Sequence, residues 1–178
     1  MYLVLEAQLE KLLKEIGKYE DFNLWKVARG VVEKKLQTVS TYFPHFSKHD
    51  KTHSEQIAIQ IANLLGARRV EKLSASDIMM MLLAFYYHDI GMVLEYKEIR
   101  EVCQEEIFQK FIYDHSNDDS DLGKSSRLIQ QIDFDRNLTN DVISLDIYRA
   151  TLHVIEDMNR AGHAQRSSEY ILRDTLLK

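Results

Sequence analysis

The chain has 178 residues, of which 45% are hydrophobic and 29% charged, with 23 Lys and Arg against 28 Asp and Glu for a formal net charge of −5. That is the size and balance of one soluble domain of about 100–200 residues. Only 6 Gly and 1 Pro exclude a β-sandwich or barrel, which turns every ~8–12 residues, and the acidic balance gives no footprint for autonomous nucleic-acid binding.

The single cysteine, Cys103, excludes an internal disulfide and fits a reducing compartment. The longest apolar run, Ile78–Tyr87, is half the ~20 residues that cross a bilayer. Glu6 and Glu10 interrupt the N-terminal apolar stretch and exclude a signal peptide. The expectation is a cytoplasmic, all-α protein.

Helical periodicity runs through the chain. Leu3, Leu5, Leu9, Leu12, Leu13 and Ile16 form a first stripe, closed by Gly17. Leu24, Val27, Ala28, Val31, Val32, Leu36 and Val39 form a second. Together they make a helical preface over residues 1–41, ahead of a domain spanning 42–178. Tyr42–Asp50 holds Pro44, His45 and His49 and reads as a loop. Thr52-x-x-Glu55 matches a capping box that opens a helix around His53, running to Gly66. Ser74-x-x-Asp77 is a weaker start signal for the next. That helix, apolar on every side from Ile78 to Tyr87, is expected at the centre of the domain and to end at Gly91. Glu95–Tyr113 reads as one helix and Asp114–Lys124 as an exposed acidic loop. Ser125–Ile132 reads as a short helix, Thr139–Asn159 as a long one, and His163 onward as the last.

The helix from His53 and the helix ending at His88-Asp89 have matched lengths of ~20–23 Å at 1.5 Å per residue. Their connection, Ala67–Leu73, is short, which favours an antiparallel pair. The start of one then lies beside the end of the other, and His53 meets His88 and Asp89. Two imidazoles and a carboxylate suit a divalent Mn, Fe, Co, Ni, Zn or Mg ion and leave positions open for water and substrate. A helix N-terminus disfavours the imidazolium at His53 and favours an anion nearby. The competing reading is an ordinary helix-terminal histidine beside a capping acid, which leaves a charged Asp at the end of an apolar helix in need of a partner.

The stretches HDKTHSEQI (49–57), YYHDIGM (86–92) and HAQRSSEYI (163–171) together resemble the HD superfamily of metal-dependent phosphohydrolases, over roughly residues 42–175. The last stretch resembles the H-x-x-R-S element of a subgroup often fused to further domains, including ATPase modules of the Hsp90 type. The resemblance implies an all-α HD-like bundle acting as a phosphohydrolase or phosphodiesterase on a nucleotide-like phosphoester through metal-activated water. It implies His53, His88 and Asp89 as ligands and catalytic residues. It further implies His163 as a ligand to a second ion or a substrate contact, and Arg166 as a phosphate contact, since its planar fork pairs with phosphate oxygens. His49 reads either as a substrate contact at the mouth or as an ordinary loop residue.

The superfamily's later Asp ligand is not placed: it is Asp146, Asp157, Asp174 or a residue beyond Lys178, and a truncated fragment is one reading of the chain. The partners that the resemblance implies are a small phosphoester or nucleotide and further domains of the same polypeptide. Rival functions are a nuclease within a larger defence assembly and a non-catalytic nucleotide- or metal-binding module. His45, His115 and His153 read as structural or solvated. Met79-Met80-Met81 reads as core filling, Asp118, Asp119 and Asp121 as a solvated cluster, and Cys103 as packing.

Overall fold

The computed structural model of the chain describes residues 4–42, 51–131 and 144–173. The elements in chain order are α1 (Val4–Glu15), α2 (Tyr19–Tyr42), α3 (Lys51–Leu65), α4 (Ala67–Val70), α5 (Ala75–Tyr87), a 3-10 turn (Ile90–Met92), α6 (Tyr96–Val102), α7 (Glu106–His115), α8 (Asp121–Gln130), α9 (Leu145–Arg160) and α10 (His163–Arg173). The described residues contain no strand, so the fold class is all-α. No described helix is long and apolar enough to cross a membrane. Backbone contacts divide the chain into two units, Met1–Val93 with His163–Lys178, and Leu94–Gly162. The described residues of the preface, 4–41, fall within the first of these units.

In the first unit α1 buries Leu5, Leu9 and Leu13, the i, i+4 row of an amphipathic helix. Ile16 is exposed, and Gly17 ends the helix at φ +72°, a left-handed turn that glycine adopts without a Cβ penalty. The inward face of α2 is Phe22, Trp25, Ala28, Val32, Leu36 and Val39, while Leu24 and Val27 are exposed. The face is therefore rotated from the aliphatic stripe toward the aromatics, each of which removes roughly 150–250 Å² from water.

The capping box of α5 is fully formed. Asp77 N donates to Ser74 Oγ at 3.2 Å, and Ser74 N donates to Asp77 Oδ2 at 3.0 Å. The hydroxyl and amide of Ser74 hold the Asp77 carboxyl below its ordinary range. Ile78, Leu82, Tyr86 and Tyr87 are buried, but Met80 is 71% exposed. The expectation of a helix apolar and buried all round is corrected: α1, α2 and α3 cover one face of α5 and not its circumference.

A buried charge joins these helices. Glu6 is 3% exposed, and its Oε1 accepts from Trp25 Nε1 at 3.0 Å. Arg29 Nη1 donates to Glu6 Oε1 and Oε2 at 2.6 and 2.8 Å, while Arg29 Nε lies 3.3 Å from Glu33. The guanidinium sits 5.9 Å from the Tyr86 ring centroid, and Trp25 meets Tyr86 edge-on at 5.4 Å. Burial is the main cause that pushes the Tyr86 phenol far above its usual range.

The second unit packs Phe108, Ile112, Ile129, Val154 and Ile155 into its core. The expected single helix over Glu95–Tyr113 breaks into α6 and α7, because Glu105 turns extended at φ −79°, ψ 143° to cap α7. The inner face of α7 is Phe108 and Ile112, and Ile107 is exposed. The acidic segment 116–120 is a short turn held by Arg127, whose Nη1 donates to the carbonyls of Ser116 and Asp118 at 2.7 and 2.9 Å. Asp118, Asp119 and Asp121 are exposed, and Cys103 is buried.

Glu6→Ala deprives Trp25 and Arg29 of a shared buried acceptor. The expected cost is about 3 kcal/mol of unfolding free energy, measured by urea denaturation. A loss under about 0.5 kcal/mol, the usual range for an unremarkable surface change, contradicts a structural role for this pair.

Candidate metal centre

The site forms where α5 ends. His88 caps the helix, its N–H donating to Ala84 O at 3.1 Å. Asp89 leaves helical geometry at φ −102°, ψ 0°, in the sparsely populated bridge region. Met92 N donates to Asp89 O at 2.8 Å and closes the 3-10 turn. Asp89 is thereby turned inward at only 3% exposure.

His53 lies in the first turn of α3, and the start of α3 stands beside the end of α5. The His53 and His88 rings are 5.3 Å apart between centroids. His88 Nε2 is 2.8 Å and His53 Nε2 is 3.7 Å from the same oxygen, Asp89 Oδ2. One ligand atom from each of the three lies within 4.8 Å of the others. The other oxygen, Oδ1, faces His163 Nε2 at 4.0 Å. Each carboxylate oxygen thus addresses a different part of the site.

The tautomer of His88 is set from behind. Its Nδ1–H donates to Phe85 O at 2.9 Å, which turns Nε2 toward Asp89, as an outer hydrogen bond commonly fixes a ligating imidazole. The hydrogen bond to Asp89 is the largest cause that raises the His88 pKa above its ordinary value. Two half-exposed imidazoles around a buried carboxylate are a donor set that fits a divalent ion.

The C-terminal helix meets this turn through all three residues of H-x-x-R-S. Ser167 Oγ donates to His88 O at 2.6 Å and accepts from Gly91 N at 2.8 Å. Arg166 Nη2 donates to Gly91 O. A Cβ on Gly91 would collide with the His163 carbonyl and stand 2.7 Å from Ser167 N. Gly91 is therefore not the terminator expected from sequence: α5 ends at Tyr87, and the glycine is the point at which α10 touches the backbone of the turn. Sequence alone assigns Ser167 no functional role. The signal was there: its spacing of four from His163 puts both on one helical face.

His49, His45 and Asp174 lie outside the described residues. Asp146 is exposed in the first turn of α9, and Asp157 lies 3.5 Å from Arg160; both belong to the second unit. His115 Nδ1–H donates to Phe111 O at 2.9 Å, and His153 Nδ1 pairs with Ser125 Oγ at 3.0 Å.

An all-α fold whose His53, His88 and Asp89 converge in this way defines an HD-type domain. The HD-CE family model matches residues 43–177, and the chain belongs to that family. No curated protein and no solved structure matches it.

The raised His88 pKa gives opposite pH dependences with and without metal. A raised imidazole pKa contributes stability that is fully present below the ordinary value of 6.5 and is lost as pH rises through the folded value. In EDTA, stability is therefore expected to fall across that window. Metal uptake competes with protonation of His88, so Co²⁺ affinity is expected to rise over the same window. Calorimetry in two buffers of different ionisation enthalpy should register proton release on binding; pH-independent uptake contradicts this.

Proposed function

We propose that the chain is a metal-dependent phosphoric ester hydrolase whose substrate is a small nucleotide-like phosphoester. The observation that carries this reading is the convergence of His53, His88 and Asp89 on one point, with a buried carboxylate at its centre, in a chain of the HD-CE family. His53, His88 and Asp89 are its proposed metal ligands, with His163 beside the other Asp89 oxygen for a second ion or for substrate. When bound, the ion supplies hydroxide from water near neutral pH and draws charge from phosphate oxygens.

The chain's own residues supply the rest. Asp89 holds the positive charge of the site in a buried position. His88 is oriented by Phe85 O. His53, at the N-terminal turn of α3, sits where the helix end favours an anion such as phosphate. Arg166 is the proposed phosphate contact. A guanidinium carries five N–H donors, so its bond to Gly91 O does not itself forbid that role. His49 is a further proposed substrate contact. The single, buried Cys103 supports a reducing, cytoplasmic setting, and further domains of the same polypeptide are proposed as partners.

A second reading rests on one observation. Among the described residues of the cluster, Asp89 is the only carboxylate. A three-ligand site also fits a module that binds a metal or nucleotide and signals without turnover.

In the assay, the chain loaded with Mn²⁺ is offered p-nitrophenyl phosphate, bis-p-nitrophenyl phosphate and nucleotides. Hydrolysis is expected to fall at least ~100-fold in His88→Ala and Asp89→Ala. Measurable metal binding without turnover, in the wild type and across these esters, favours the binding module. No metal uptake at all removes both readings.

A further inference from the structure

Ser167 is the residue of the H-x-x-R-S element that the hydrolytic reading leaves without a role. It is 3% exposed, and its hydroxyl spans two backbone groups of the turn that carries the ligands. It donates to the carbonyl of His88 at 2.6 Å and accepts from the N–H of Gly91 at 2.8 Å. The His88 carbonyl lies at the C-terminal end of α5 and the Gly91 N–H near the start of the 3-10 turn, the ends at which carbonyls and amides respectively lack intrahelical partners. Arg166 adds a bond to the carbonyl of Gly91. The close approach of α10 is possible because residue 91 has no side chain. One turn before Ser167, on the same face of α10, stands His163, 4.0 Å from Asp89 Oδ1.

We infer that Ser167 is a positioning residue for the metal centre: its hydroxyl sets the register of α10 against the His88–Gly91 turn and so fixes the His88–Asp89 dipeptide and the placement of His163 together. This rests on the metal-binding reading above. Both hydrogen bonds of the Ser167 hydroxyl go to backbone groups; it acts through the backbone of His88 and through the helix that carries His163. A hydroxyl suits the task because it can donate to a carbonyl and accept from an amide at once. Alanine can do neither and leaves two buried backbone groups to find other partners.

The test uses the whole chain in phosphate-free buffer. Co²⁺ affinity is measured by calorimetry, the ligand field by visible absorption, and backbone exchange by deuterium uptake in metal-free protein. In Ser167→Ala, Co²⁺ binding is expected to weaken about 10- to 100-fold, as for loss of an outer-shell partner. The absorption band should change shape, and exchange should accelerate over residues 88–93 while α1 and α2 stay as in wild type. Ser168→Ala, an exposed neighbour, should leave all three readouts unchanged. If Ser167→Ala does not fold, Ser167→Cys, whose thiol is only a weak donor and acceptor, is read in its place, with the same directions expected.

Wild-type affinity, spectrum and exchange in a folded Ser167→Ala overturn the positioning role while leaving the metal site standing. A wild-type chain that takes up no Co²⁺ overturns the metal reading and, with it, the role assigned to Ser167. Weakened Co²⁺ binding with an unaltered spectrum and unaltered exchange at 88–93 also overturns it, because the loss would then not pass through the turn.

Discussion

The buried carboxylate of Asp89 is the constraint on which the first unit is organised. An isolated charge at that depth is costly, and a carboxylate is kept there only if it is paired or ligated. Three imidazoles surround it: His88 and His53 on one oxygen, His163 on the other. They come from three places far apart in sequence, and bringing them together requires α3, α5 and α10 to end or begin at one point. The same arrangement that satisfies the carboxylate in the absence of metal presents its oxygens and the ring nitrogens to a cation. The hydrogen bond between His88 and Asp89, the largest cause that raises the imidazole pKa, spans the position that a divalent ion would contest.

The sequence was most legible where local chemistry and fold agree. Ser74 and Asp77 form the box that their spacing predicts. The matched lengths of α3 and α5 suffice to place His53 beside His88, since a short connection leaves few alternatives to an antiparallel pair. It was less legible where tertiary packing decides. Aliphatic periodicity in α2 pointed to Leu24 and Val27, but the aromatic rings of Phe22 and Trp25 took the inward face. Glu105 interrupts a continuous helical pattern without a Gly or Pro to announce it. Gly91 illustrates a different ambiguity. A glycine after a helix is usually there for a left-handed turn, but here it makes room for a second backbone, and that need is set by residues 72 or more positions later in the chain.

His163, Arg166 and Ser167 show how far a motif can be read before its geometry is known. By chemistry alone, His163 and Arg166 are a ligand and an anion contact. In the folded chain Arg166 and Ser167 also bind backbone at the turn, while His163 faces the Asp89 carboxylate. One helical face presents all three, because positions i, i+3 and i+4 lie side by side. Holding the turn and contributing to the site are not competing uses of such a face. The contact that fixes the register of α10 is also what brings its histidine within reach of Asp89.

The family match begins at residue 43, but the physical unit that carries the site includes residues before it. Tyr86, two residues before His88, packs against Trp25 and lies under Arg29. Both of those side chains are held by Glu6. The N-terminal helices therefore back the same helix whose end supplies two of the three proposed ligands. A charge pair in so buried a place is a poor source of net stability, because desolvation offsets most of its attraction. It is highly directional, however: Glu6 accepts from two donors on α2, at positions 25 and 29, and so fixes α1 against one face of that helix. The geometry at Asp89 is thus set from two sides, by α10 on the turn and by α1 and α2 on the helix that leads into it.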